Sequence, residues 1–159
     1  MRDVLMLDID GVLADNLHRL DFARIKMWNV FYRDEMVLKD AKITAGLNLA
    51  WSLAPSCDIF FVTGRSDVCR DATIEWLRRA GFSDNGVKYI ELYMRKNGDH
   101  SKSAEAKLPM IREIISKYPE GTNFYFVDDS PVNILTAKKA FPQLTTLVFN
   151  TGRFDQFLD

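Results

Sequence analysis

An α/β fold is expected from this sequence: a parallel sheet covered on both faces by helices, with a small helical insertion after the first strand. Short continuous apolar runs recur along the 159 residues, the signature of strands buried on both faces. Segments of helical periodicity lie between them, and strand–helix alternation of this kind favours parallel pairing through right-handed crossovers. The rhythm breaks once, over 16–55, where helical periodicity continues without a strand.

The first run is Val4-Leu5-Met6-Leu7, followed at once by Asp8-Ile9-Asp10-Gly11. In the insertion, Leu17, Leu20, Ala23, Met27, Val30 and Phe31 fit one helix, and 47–53 a second. Ile59-Phe60-Phe61-Val62 is the second strand, leading into Thr63-Gly64-Arg65. A helix over 67–80 follows, with Val68, Ala72, Trp76 and Ala80 on one face, Asp67 as an N-terminal acid and Gly81 as the stop. Tyr89-Ile90-Glu91-Leu92-Tyr93 reads as the third strand, and 103–118 as a helix with Ala106, Met110, Ile114 and Ile115 on one side. Phe124-Tyr125-Phe126-Val127 ends in Asp128-Asp129-Ser130, and Pro131 opens a helix that closes before Pro142. Thr145-Thr146-Leu147-Val148-Phe149 is the fifth strand. No repeat, linker or low-complexity tract divides the chain, so one domain over 1–159 is expected.

Composition narrows the function. Hydrophobic residues make up 47% and charged residues 27%, and 11 Phe, 5 Tyr and 3 Trp supply bulk for a core, which excludes global disorder. Lys and Arg total 21 against 22 Asp and Glu. A protein that neutralises many phosphates carries a basic excess, so extensive duplex binding is not expected, although a local pocket for one phosphate is compatible. Cys57 and Cys69 lack metal-ligand spacing and read as reduced core thiols. Acidic residues interrupt the first apolar run, and the longest uncharged stretch, 43–57, is too short to span a bilayer. A cytoplasmic protein without membrane contact is expected.

The chemistry gathers at strand ends. In an open parallel sheet, ligands bind outside the carboxyl ends of the strands. Asp8 and Asp10, Thr63 and Gly64, and Asp128 and Asp129 would therefore converge on one crevice. Carboxylates brought together need a cation or a shared proton, and an all-oxygen ligand set suits Mg²⁺. An ionised carboxylate there can attack phosphorus, and a second can protonate a leaving oxygen and then activate water. Thr63 offers a hydroxyl and Gly64 a backbone N–H to a phosphate oxygen, and Lys107 is the natural cation for the charge that develops. Asp128 and Asp129 read as metal ligands, a role compatible with capping the helix that opens at Pro131. Arg65 and Arg95 read as either substrate contacts or ordinary surface charges. Lys96, His100 and Lys102 read as a solvated loop, His18 has no evident partner, and Trp28, Trp51 and Trp76 fit core positions.

With these residues in view, DIDGVLAD, VTGR, a downstream Lys and VDDSPVN resemble, in order, the four motifs of haloacid dehalogenase-like (HAD) hydrolases. The resemblance spans 4–149 and implies a three-layer, Rossmann-like domain that uses Mg²⁺ and an aspartyl-phosphate. On that resemblance Asp8 is the nucleophile and a metal ligand. Asp10 is the acid/base and also serves the metal through its backbone carbonyl. Thr63 and Lys107 bind phosphate, Asp129 is a metal ligand and Asp128 its frequent neighbour. The chain departs at Asn133, where a second acid is common.

The stretch from TGRSDVCRDATIEWLRRAGF through YMRKNGDHSKSAEAK is similar to the 3′-phosphatase domain of phage polynucleotide kinase, with Arg95, Gly98, Asp99 and Lys107 at matching spacing. It departs at Ser101 and Ser103, and no GxxxxGK[ST] kinase loop is present. This likeness implies that Arg95 contacts phosphate or nucleotide. The intervals from Asp10 to Thr63 and from Thr63 to Lys107 are too short for a large lid, so the insertion is at most a small cap. The expected activity is a Mg²⁺-dependent phosphomonoesterase acting on a nucleotide or a nucleic-acid 3′-phosphate. A soluble 5′(3′)-nucleotidase, which DIDGVLAD also resembles, and a catalytically idle phosphate-binding module are the alternatives.

Overall fold

In a computed structural model, which describes residues 2–83 and 90–150, five parallel strands form one sheet in the order β5-β4-β1-β6-β7. They are β1 (Asp3–Leu7), β4 (Cys57–Ser66), β5 (Glu91–Arg95), β6 (Phe124–Asp128) and β7 (Leu144–Val148). The central β1 lies between β4 and β6, with Leu5 opposite Ile59 on one side and Tyr125 on the other.

The continuous apolar runs follow from a sheet covered on both faces, because alternate side chains along a strand point to opposite sides. Leu5 and Leu7 of β1 join Ile59 and Phe61 of β4 in one core. That core is closed by α4 (Thr44–Leu53) through Leu47 and Ala50, and by α5 (Arg70–Arg79) through Trp76 and Leu77. Val4, Met6, Phe60 and Val62 face the other way. There they meet Met110, Ile111 and Ile114 of α6 (Ser103–Ser116) and Ile134 and Ala137 of α7 (Pro131–Ala140). The three-layer α/β architecture expected from the sequence is therefore present. Among the described residues, no helix is long and apolar enough to cross a membrane.

Several boundaries differ. The third strand starts at Glu91, and Tyr89 lies outside the described residues, as do both ends of the expected 1–159 domain. The expected helix over 67–80 begins as a 3₁₀ turn, Asp67–Cys69, capped by the Ser66 hydroxyl, which accepts the Val68 N–H, before α5 takes over. β4 continues through Thr63, Gly64 and Arg65 to Ser66, with a register shift against β5 after Val62.

The insertion departs most. Instead of one helix through Phe31 there is a 3₁₀ turn, Leu17–Arg19, then three short helices: α1 (Leu20–Arg24), α2 (Trp28–Phe31) and α3 (Asp34–Val37). The break is at Lys26, which has φ 59°. Its N–H donates to the Ala23 carbonyl, and the Met27 N–H donates to Phe22 at 2.8 Å, so the end of α1 has Schellman geometry with a lysine in the left-handed position usually given to glycine. The insertion also contains a strand that its periodicity hides: β3 (Ala41–Lys42) pairs antiparallel with β2 (Ala14–Asp15).

Gly46, in the first turn of α4, fits the insertion against the turn after β1. A Cβ built there would lie 1.7 Å from the Val12 carbonyl oxygen, a backbone atom. Glycine to alanine inside a helix ordinarily gains about 1 kcal/mol, but overpacking costs about 1–3 kcal/mol. Gly46→Ala should therefore lower stability, read as a lower urea midpoint.

Candidate active site

Parallel pairing brings the C-terminal ends of β1, β4 and β6 to the same edge of the sheet. Asp8 follows β1 directly, and its N–H donates to the Val127 carbonyl at 2.9 Å, so the sheet ladder itself fixes the backbone here. Asp128 closes β6 and Asp129 follows it. Asp8, Asp128 and Asp129 are all buried, and one carboxylate oxygen of each lies within 4.8 Å of the others.

Three carboxylates this close destabilise one another's charge. Burial is the main cause that pushes the Asp8 carboxyl well above the ordinary carboxylate range, and repulsion from Asp128 adds to it. Lys107, from the first half of α6, opposes the shift. Its Nζ is 3.0 Å from Asp8 Oδ1 and donates to Asp128 Oδ2 at 2.6 Å. Burial alone would weaken the lysine's hold on its proton, but Asp128 and Asp8 outweigh it and keep the ammonium charged.

Asp128 is held by several protein donors. Besides Lys107, it accepts the Ser130 N–H at 2.9 Å and the Asn133 Nδ2 at 3.2 Å. Asn133 Nδ2 also donates to Ser103 Oγ, which leaves Asn133 Oδ1 buried without a hydrogen-bond partner. The carboxylates of Asp8, Asp128 and Asp129 form an all-oxygen donor set, the chemistry a hard divalent cation requires, and Asn133 lines the same cavity. The residues present therefore fit Mg²⁺. Asn133, where the sequence departs from the acid its motif resemblance implies, points its Nδ2 at Asp128 and Ser103. Asp129 is seated over Gly11, where φ is +80° and an added Cβ would come within 2.0 Å of Asp129 Oδ2.

Asp10 is turned elsewhere: its carboxylate is not part of the three-acid cluster. Arg65 grips it in a fork, with Nη2 2.7 Å from Oδ1 and Nε 3.0 Å from Oδ2. Arg65 is itself buried, and Asp10 and Asp40 overcome the desolvation penalty and hold its charge. It also donates to Asp40 Oδ2 at 2.8 Å and to the Thr73 hydroxyl. Arg19 takes the same Asp40 carboxylate bidentately, at 2.8 and 2.7 Å, and lies 4.4 Å above the Phe31 ring. His18 Nε2 is 2.8 Å from Asp40 Oδ1.

Neither Arg19 nor Asp40 is evident from sequence motifs. The one clue is an arginine amid the apolar residues of the insertion, a position where burial demands a partner. Arg65, open on sequence to a surface reading, is a buried bracket between Asp10 and the insertion.

A cavity of about 170 Å³ opens onto these groups and is lined by Asp8, Asp10, Gly64, Arg65, Arg95, Lys107 and Asp129, among others. Thr63 does not line it. It is fully buried, and its hydroxyl accepts the Arg65 N–H at 3.1 Å, which shapes the segment that presents Gly64. Arg95 donates to the Gly64 carbonyl at 3.0 Å and to the Ser101 carbonyl, bracing the loop after β5 against β4 at the cavity's rim.

The sequence profile of the polynucleotide kinase PNKP phosphatase domain matches residues 2–154. Among solved structures, the Pnkp1/Rnl/Hen1 complex contains a chain with TM-score 0.64 and 18% identity, the match covering 97% of this chain and 48% of that one. This chain thus spans about half the length of that relative. A haloacid dehalogenase-like hydrolase family protein from Streptococcus pneumoniae superposes with TM-score 0.62 at 8% identity, over 91% of this chain and 83% of that one. A HAD family enzyme from Bacteroides thetaiotaomicron, solved with magnesium and inorganic phosphate, gives 0.55 at 14% identity, over 96% of both chains. At these identities the likeness is one of fold. No curated protein sequence matches the chain.

Two stability effects follow from the charges. Because the folded state raises the Asp8 carboxyl, Asp8 favours folding in its protonated form, and that contribution is lost as pH rises through the raised value. Asp8→Asn should therefore raise the thermal midpoint of the metal-free protein more at pH 8 than at pH 4, by about 2–4 °C for each kcal/mol relieved. Asp40→Asn removes the carboxylate shared by two buried guanidiniums and should cost about 3–5 kcal/mol in urea unfolding.

Proposed function

The chain belongs to the family of polynucleotide kinase PNKP phosphatase domains, a HAD-type phosphatase family, and from that membership we propose that it is a Mg²⁺-dependent phosphomonoesterase acting on a nucleic-acid 3′-phosphate or a nucleotide. The observation that carries the reading is Asp8. Its carboxylate stands at the end of the central strand, with Lys107 at 3.0 Å and the Asp129 carboxylate beside it, on a cavity sized for a phosphate.

In this reading Asp8 attacks phosphorus, the bond to the leaving oxygen breaks, and Asp10 delivers the proton that the leaving hydroxyl needs. Water then attacks the aspartyl-phosphate, with Asp10 taking its proton, and Asp8 is regenerated. Arg65 positions Asp10 for both proton transfers by gripping its carboxyl at the edge of the cavity. The Gly64 backbone N–H and the Lys107 ammonium are the groups proposed to meet the phosphoryl oxygens, with Thr63 buried behind Gly64 and shaping that segment, and Arg95 contacts the substrate at the rim. Asp8, Asp129 and the Asp10 carbonyl would hold Mg²⁺, with Asp128 as their buried neighbour. The ion, when bound, offsets the charge of carboxylates and phosphate and so permits an anionic nucleophile to approach an anionic substrate. The open rim and the family match favour a nucleic-acid end over a sugar phosphate.

Phosphate release should be measured with Mg²⁺ and with a chelator, from an aryl phosphate, a mononucleotide and a 3′-phosphorylated oligonucleotide. Release should require the metal and fall on the order of 10³-fold or more in Asp8→Asn. Substantial turnover by that variant would remove Asp8 from the role of nucleophile. Preference for the mononucleotide would favour a nucleotidase, and no release from any substrate would favour a phosphate-binding module.

A further inference from the structure

With the Thr63 hydroxyl buried away from the cavity, a different side chain is placed to give a phosphoryl oxygen a hydroxyl proton. Ser103 lines the small cavity and opens α6, one helical turn before Lys107. Residues at that spacing share a face of a helix, and the Ser103 hydroxyl and the Lys107 ammonium both border the cavity. Gly64 stands against the same hydroxyl: a Cβ built on that glycine would lie 3.0 Å from Ser103 Oγ. The hydrogen bonds around Ser103 decide which way it can act. A carboxylate only accepts, so Asn133 turns its amide nitrogen toward Asp128, at 3.3 Å from Oδ1 and 3.2 Å from Oδ2. The same nitrogen donates to Ser103 Oγ at 3.3 Å. Ser103 Oγ is therefore an acceptor toward the protein, and its single proton is what it has left to offer a ligand.

We propose that Ser103 contacts the substrate directly, donating its hydroxyl proton to an oxygen of the phosphate being transferred, between the Gly64 N–H and the Lys107 ammonium. The inference rests on the phosphatase reading for what occupies the cavity, and it assigns to α6 a hydroxyl contact that the motif resemblance places on Thr63. Ser103 is one of the positions where the chain departs from the phage 3′-phosphatase domain. A neutral donor suits the place, because Asp8, Asp128 and Asp129 already crowd the site with carboxylates. Another charge of that sign would repel an anionic substrate, whereas a hydroxyl gives it a charge-assisted hydrogen bond. The donor is also held in advance: Asp128 orients the Asn133 amide, and the amide orients the serine. A donor fixed before the reaction costs no reorganisation as charge develops on the phosphoryl group.

Calorimetric titration with inorganic phosphate in Mg²⁺, beside steady-state turnover, separates this inference from the reading beneath it. Ser103→Ala should weaken phosphate binding on the order of tenfold and lower kcat/KM by about 10- to 100-fold, the loss of one hydrogen bond to a charged group. Ser103→Thr keeps the hydroxyl and should retain most of both. Because the contact is to the transferred phosphate, the fold-loss in Ser103→Ala should be the same for an aryl phosphate, a mononucleotide and a 3′-phosphorylated oligonucleotide. A role confined to supporting Asn133 would instead lower the thermal midpoint and leave phosphate affinity unchanged. Unchanged phosphate affinity in Ser103→Ala, equal losses in the alanine and threonine variants, a loss confined to the oligonucleotide, or a wild type that binds no phosphate would each overturn the assignment. Failure of the wild type to release phosphate from any substrate would sink the phosphatase reading, while the phosphate affinities would still decide the role of Ser103.

Discussion

Everything at the site depends on burying several carboxylates at one edge of an apolar sheet. Placing ionised groups away from water costs several kcal/mol each unless opposite charges and hydrogen bonds accompany them. The chain meets that cost with two separate cationic systems. Lys107 reaches from α6 to Asp8 and Asp128, and Arg65 with Arg19 balances Asp10 and Asp40. The first leaves Asp8 undercompensated, its carboxyl held well above the ordinary carboxylate range by burial. The second satisfies Asp40 fully and fixes where Asp10 points.

The two systems divide the work by position in the fold. Lys107 belongs to a helix on one face of the sheet and Arg65 to the end of the neighbouring strand, while Arg19 and Asp40 come from the insertion. The sheet therefore supplies the site carboxylates, and the insertion supplies part of the frame that fixes Asp10. The Trp76 indole N–H donates to the Asp40 carbonyl at 2.8 Å, so α5 also helps to anchor that frame.

Much of this was legible in the sequence. Double-sided burial writes a strand as an unbroken apolar run, which is why Val4 to Leu7 and Phe124 to Val127 could be recognised and why the acids after them had to share an edge. The insertion was less legible because its order comes from tertiary contacts. A helix that ends at a left-handed lysine leaves no mark, since Lys26 is an ordinary helix former by propensity. Leu17 and Met27 follow a helical period yet stay exposed. Asp40 has no motif around it, because what it needs is two arginines distant in the chain. Trp28 fits a core position on spacing alone, yet it is half-exposed and stacks on Tyr32.

The bracket formed by Arg19, Asp40 and Arg65 has a kinetic consequence. Lids that open and close often govern how fast an enzyme turns over, through product release. Here the insertion is tied to the rest of the domain by the Arg65 guanidinium on Asp40 and by the Trp76 indole N–H on the Asp40 carbonyl, and hinging it away would break that buried ion pair. With the insertion so framed, exchange at the site should be governed by the rim of the opening and not by a hinging lid.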